Sequence, residues 1–200
     1  MREINNFLIK TIFFTFLIFS VNAENKILSI GDINAKVTVK VFSSLTCPHC
    51  ADFHKNIFKN LKKDYIDKSL LRFEHHSFPL DLAALNAELI IRCFKDKDKS
   101  FQLLGEIYEK QNQWAVGSDI NIINESIKKI GLDSGLSNND MDNCLSNETM
   151  QDQILNERID AQKSYKIRST PTIYINEKKY EDSQEYKVFK KEIEKFLNEI

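Results

Sequence analysis

Cys47-Pro48-His49-Cys50 sets two thiols two residues apart, a spacing that lets them interconvert between a dithiol and a disulfide. Pro48 falls where a first helical residue would sit, so its missing N–H costs nothing and its fixed φ suits the helix. Cys47 then stands at the helix N-terminus, where unpaired N–H groups and the helix dipole favour a thiolate. His49 offers an imidazolium beside that sulfur, which would push the thiol pKa further down. A low-pKa thiol is also a good leaving group when a substrate thiolate attacks its disulfide. The residues point to thiol–disulfide chemistry. Zinc would want a second ligand pair at similar spacing, and neither Cys93 nor Cys144 has a close cysteine or histidine neighbour. Haem attachment would want His after Cys50, and Ala51 is there.

The elements that must hold this motif are legible on both sides of it. Val37, Val39 and Val41 alternate with Thr38 and Lys40, which predicts a strand running into the motif. Phe53, Ile57, Phe58 and Leu61 recur at helical spacing after it. Leu70 to Phe78 reads as a second strand stopped by Pro79. From Asp81 to about Ile167 the pattern is almost wholly helical. Helices are predicted from Asp81 through Cys93, from about Ser100, and from Ser118-Asp119 to a stop at Gly131. Two more follow, over Asp140–Leu145 and Glu148–Tyr165. The β pattern returns at Thr170-Pro171-Thr172-Ile173-Tyr174-Ile175, with a short return strand at Lys179-Tyr180 and an amphipathic helix from Ser183 to Ile200. Neither β-containing piece is large enough to stand alone. One α/β domain from 24–80 and 167–200, interrupted by a helical domain at 81–166, is the economical reading.

The 200 residues carry a formal charge of −1, with lysines and arginines interleaved among acids, so no basic face suggests nucleic acid. Residues 1–23 differ from the rest. Arg2 and Lys10 precede an apolar run from Thr11 to Val21, and Val21-Asn22-Ala23 offers a cut after Ala23. The run is shorter than the roughly 20 residues that span a bilayer comfortably. A signal peptide is expected, with an uncleaved anchor as the alternative, and export would permit disulfides among the four cysteines.

Taken together the motifs resemble the thioredoxin fold, and the helical insertion resembles the DsbA family of exported thiol:disulfide oxidoreductases. The resemblance rests on Val37-Thr38-Val39, Ser44-Leu45-Thr46-Cys47-Pro48-His49-Cys50-Ala51, Phe78-Pro79-Leu80-Asp81, Gln113-Trp114, Cys144-Leu145 and Ser169-Thr170-Pro171-Thr172. It implies that Cys47 is the exposed nucleophile and Cys50 the buried resolving thiol. It also implies a cis Thr170–Pro171 bond across from the disulfide, where the backbone of Thr170 could pair with an extended peptide. In the family's namesake a thiolate pKa of about 3.5, against about 8.5 for a free thiol, is worth roughly 7 kcal/mol, and so is a potential of about −120 mV against about −270 mV for thioredoxin.

One departure concerns the proton. Members often carry an acid six positions before the nucleophile, and here that position is Val41. The loss predicts slower proton transfer and a thiolate at least as acidic as where the acid is kept. Glu74, His75 and His76 end the second strand, one histidine inward and one outward, with a relay of the Cys50 proton through Glu74 or His75 as the alternative. His54 reads as a surface residue and Trp114 as packing. Cys93 and Cys144 are expected to form a structural disulfide, the alternative being two buried thiols.

The activity so implied is a periplasmic oxidase acting as a monomer, with no cofactor beyond its redox-active disulfide. Its partners would be reduced or unfolded exported polypeptides and a DsbB-like membrane quinone oxidoreductase. A disulfide isomerase or reductase is the nearest rival, although such isomerases carry an N-terminal dimerisation module and only about a dozen residues precede the first strand after Ala23. A peptide-binding or chaperone module with a structural Cys-x-x-Cys is the remaining reading.

Overall fold

A computed structural model describes residues 27–199, so the segment read as a signal peptide lies outside the described residues. The valine alternation does make the central strand. β2 (Val37–Ser43) buries Val37, Val39 and Val41 on one face and turns Thr38 and Lys40 to the other. β3 (Leu71–Ser77) lies parallel to it, with Phe73 opposite Val39 and His75 opposite Val41. β1 (Leu28–Ile30) pairs antiparallel with β3. On the other side β4 (Thr172–Ile175) runs antiparallel to β2, and β5 (Lys178–Tyr180) completes the order β1-β3-β2-β4-β5. The stretch from Glu24 to Ala35 reads as a polar lead, yet it contains β1. Three residues are too few for a period of two to show, and their pairing comes from a strand distant in sequence.

The helix after the motif is longer and less regular than a single α-helix. α1 (Pro48–Phe53) continues through π-helical turns at His54–Phe58 into α2 (Lys59–Asp64). Its buried Phe53 and Phe58 set their rings 6.5 and 4.6 Å from that of Phe73 on β3, fixing the helix across the sheet.

Between β3 and β4 come α3 (Leu82–Ile91), α4 (Lys97–Glu109), α5 (Gln111–Trp114), α6 (Ile120–Asp133), α7 (Asn138–Leu145) and α8 (Glu148–Ser164). Both flanking strands border β2, so this block interrupts one sheet. Side chains of Asp81, Asp96, Asp119, Ser137 and Asn147 accept from backbone N–H groups at the starts of α3, α4, α6, α7 and α8. The Asp96 cap starts α4 three residues before Ser100. Gly131 does not end α6. It lies inside the helix against Met141, where a Cβ would collide with the Met141 sulfur, and the turn falls to Gly135 at φ +97°.

The insert shares its core with the sheet. Val39, Val41, Phe53 and Phe73 belong to the same buried cluster as Leu104, Ile107, Trp114 and Ile127. Trp114 is fully buried with its indole N–H donating to Ile107 O at 2.8 Å, which is a packing role. Phe42, Phe78, Ala161 and Ile167 form a smaller cluster on the opposite sheet face. α9 (Tyr186–Asn198) buries Phe189 and Ile193 in the main core. Cys93 and Cys144 are joined, with Cα atoms 6.0 Å apart, tying the residues after α3 to α7. Gly31, just after β1, has φ +99°, and a Cβ there would strike the Leu71 carbonyl oxygen. Gly31→Ala should therefore lower unfolding stability by about 2 kcal/mol or more. Urea denaturation with an unchanged m-value would register this, and a neutral result would contradict the close approach.

Candidate active site

Antiparallel pairing of β4 with β2 sets Thr172 opposite Phe42, and this brings Thr170 and Pro171 beside the loop that leaves β2. At the end of that loop Cys47 caps α1 with extended backbone, Pro48 is the first helical residue, and the N–H groups of Cys50 and Ala51 bond to the Cys47 carbonyl at 3.1 and 3.2 Å. The Thr170–Pro171 peptide bond is cis. Both motif cysteines are thiols here. The Cys47 thiol donates to the Thr170 carbonyl at 3.3 Å. Cys47 is only 7% exposed, more covered than the resemblance implied, because the segment leading into β4 lies over it. Pro48 and His49 form the exposed rim.

Side chains far apart in sequence hold the loop. Gln111 of α5 donates its Nε2 to the carbonyls of Leu45 and Cys47 at 2.7 and 3.0 Å. The Thr46 hydroxyl donates to Asp81 Oδ2 at 2.8 Å, while Asp81 Oδ1 caps α3 through Ala84 N–H. Ser44 Oγ accepts from Leu80 N–H. The insert thereby clamps both ends of the motif's loop to the sheet.

The two sulfurs are driven apart electrostatically. The hydrogen bond from Cys50 is the largest influence on Cys47 and outweighs burial, which acts the other way. With help from the Thr170 side chain and the backbone N–H groups of Cys50 and His49, it lowers the Cys47 thiol from 9.0 to about 5. Burial pushes the Cys50 thiol far up, and the neighbouring Cys47 adds to it. His49 acts on the sulfur through its backbone N–H, and its side chain belongs to the exposed rim. A single negative charge shared unequally between two sulfurs is the state that thiol–disulfide exchange needs.

The groups behind the sulfurs differ from expectation. His54 is not a surface residue. It lies four residues after buried Cys50, on the inward face of the helix, where its ring stacks on Phe58 and Tyr108 at 4.4 and 5.1 Å. Burial holds its pKa down at about 3, so it is neutral. Glu74 faces away from the thiols. The His76 hydrogen bond is the main cause of its pKa falling to about 2, and Arg72 adds to it. His75 does point inward, to Glu88 Oε1 at 2.6 Å. Val41 is buried beside it. Glu88, Tyr108 and Gln111 went unnoticed in the sequence. Glu88 alone left a signal there, as the one charged residue in the apolar run Leu82–Ile91.

Residues 23–195 match the family described as thioredoxin. The chain belongs to the thioredoxin family. Within it the similarity is to DsbA-like proteins, as the motifs implied. Wolbachia pipientis alpha-DsbA1 superposes with a TM-score of 0.79 at 25% identity, over 86% of this chain and 91% of that one. Oxidised BdbD of Bacillus subtilis superposes at 0.73 and 25% identity, over 86% and 94%. In sequence, disulfide bond formation protein D of Bacillus subtilis is 29% identical over 84% of this chain and 76% of its own. A Rickettsia typhi protein named for protein-disulfide oxidoreductase activity is 28% identical over 76% of this chain. The chain spans about half the length of the rickettsial relatives it matches.

A folded-state thiol depressed from 9.0 to about 5 stabilises the dithiol form. The sign follows from proton binding: the unfolded chain binds the extra proton, so the contribution is complete above about pH 9 and is lost as pH falls through 5. Denaturation of the reduced protein against Cys47→Ser should show a gap that narrows by about 5 kcal/mol between those limits. A gap independent of pH would mean that Cys47 is an ordinary thiol.

Proposed function

We propose that this protein is a thiol:disulfide oxidoreductase that donates a Cys47–Cys50 disulfide to reduced, exported polypeptides in the periplasm. The observation that carries the reading is the opposed ionisation of the two thiols, Cys47 at about 5 and Cys50 far above its ordinary value, beside Thr170 and Pro171. In the proposed cycle a substrate thiolate attacks Cys47 Sγ, the S–S bond breaks, and Cys50 leaves and takes up a proton. A second substrate thiolate then attacks the substrate sulfur of the mixed disulfide and releases the Cys47 thiolate. The substrate loses two electrons and the protein gains them. A membrane quinone oxidoreductase resembling DsbB would accept them to restore the disulfide. The backbone of Thr170, next to a proline without an N–H, would align the substrate as an extended strand. The names of the relatives support the reaction class, and the sequence of residues 1–23 supports the compartment.

Isomerase or reductase activity is the second reading, favoured by the size of the Cys47 shift. Interpolation between thioredoxin, at about 7 and −270 mV, and DsbA, at about 3.5 and −120 mV, puts a thiol at about 5 near −180 mV. That is less oxidising than the resemblance implied. Two measurements decide. Equilibration with glutathione should give a potential near about −180 mV, and a value at or below that of thioredoxin would exclude the oxidase. Refolding of a reduced substrate and of a scrambled one should separate oxidation from isomerisation, with Cys47→Ser inactive in both. Activity surviving in Cys47→Ser would overturn the proposed nucleophile.

A further inference from the structure

Cys50 has a proton problem. The residue is 2% exposed and its pKa is pushed far up, so its sulfur must take a proton when it leaves and lose one when it attacks. The position under the disulfide that could supply a carboxylate is Val41, which is 1% exposed and cannot ionise. Its register partner on β3, facing the same side of the sheet, is His75. His75 Nε2 and Glu88 Oε1 are 2.6 Å apart, with side chains 2% and 1% exposed, so this buried pair holds a proton between nitrogen and oxygen.

Three polar atoms at or near the pair make no close hydrogen bond among the described residues: Glu88 Oε2, beside the Ser77 side chain, the Tyr108 hydroxyl, beside the Ser43 side chain, and His54 Nε2. Leaving such atoms unmatched is costly, and well-packed proteins seldom retain several together without a use. Tyr108 is near both the thiols and the pair. Its ring lies 6.5 Å from that of His75 and 5.1 Å from that of His54. Burial, then the charges of Cys50 and Glu88, hold the Tyr108 phenol well above its ordinary pKa, so it stays protonated and can pass a proton without storing charge. His54 and Tyr108 also line a cleft of about 410 Å³ beside Pro48, which offers an exit to solvent.

We infer that the His75–Glu88 pair, acting through Tyr108, is the proton store for the Cys50 thiol, in place of a carboxylate on β2. When the Cys47–Cys50 disulfide opens, one proton passes from the pair to the Cys50 sulfur by way of the Tyr108 hydroxyl. On reoxidation, as Cys50 forms its bond to Cys47, the proton returns. No electron moves through the relay. The groups facing the pair are Tyr108 from α4, His54 from the π-helical turns and Ser77 of β3, and Tyr108 in turn feels the charges of Cys50 and Cys47. Arg92 also faces the pair, bonded to Ser77 and to Glu157 of α8. Burial pushes the Glu88 carboxyl up, but His75, Arg92 and Ser77 outweigh it and hold the group below its ordinary range.

This rests on the exchange chemistry proposed above, and one experiment separates the two. The reduced protein is converted to a Cys47–glutathione mixed disulfide, and release of glutathione by Cys50 is followed across pH. Failure of the unmodified protein to form or resolve that adduct would sink the exchange reading itself. Given that chemistry, Glu88→Gln, which keeps the hydrogen bond to His75 but not the charge, should slow release by about 10²-fold near neutral pH while leaving the Cys47 thiolate titration in place. The deficit should shrink at high pH, where hydroxide removes the Cys50 proton directly. Adding Val41→Glu to Glu88→Gln should restore most of the rate, which a merely structural role for Glu88 would not allow. A folded Glu88→Gln with the unmodified rate and pH profile would overturn the relay. Should that variant not fold, the unmodified protein still decides by nitrogen magnetic resonance of its histidines. The His75 ring signals must differ between dithiol and disulfide forms, and identical signals would overturn the proposal.

Discussion

A single negative charge divided unevenly between two sulfurs governs this structure. Cys50 is sealed in the core and keeps its proton, and by donating a hydrogen bond to Cys47 it makes the thiolate there stable. Everything around the motif serves that inequality. The helix start and Pro48 orient N–H groups toward the Cys47 sulfur, while Phe53, Leu45 and the sheet bury the other sulfur. Loosening the burial of Cys50 would raise the Cys47 pKa and weaken the dithiol relative to its disulfide together, because both report the same stabilisation of the thiolate.

That arrangement explains why the insert is more than a cover. Gln111 reaches from α5 to the carbonyls of Leu45 and Cys47, and Asp81 joins the motif's loop to the cap of α3. The insert also supplies Glu88 and Tyr108, which lie behind the thiols with His75. A carboxylate buried on a helix of the insert has a different effect from one on β2. Burial pushes the Glu88 carboxyl up, and His75 and Arg92 near it hold it below its ordinary range.

Val41 leaves no acid at that position of β2, and one strand over its register partner His75 pairs with Glu88. Alternation along β3 predicts one histidine inward and one outward, and the structure makes His75 the inward one and turns Glu74 to the other face with Arg72 and His76. The same alternation could not say what His75 meets. His54 shows the converse failure, since a polar residue type suggested the surface although its place four residues after buried Cys50 puts it on the inward face of the helix. β1 was invisible because three residues carry too little pattern, and Gly131 looked like a terminator although its role is to let Met141 approach.

The sequence by itself determined what is local: the thiol pair at a helix start, the valine strand before it, the helix caps, and the motifs that mark the family. These follow from short-range periodicity and from residues whose backbone preferences act within a few positions. Only the tertiary structure decided the rest: that Thr170 lies on the Cys47 sulfur, that Cys93 meets Cys144, that Gln111 holds the loop, and that His75 pairs with Glu88. The physical reason is shared. Each depends on strand register and helix packing between segments remote in the chain, and the low dielectric that shifts the two thiols exists only once those segments have closed around them.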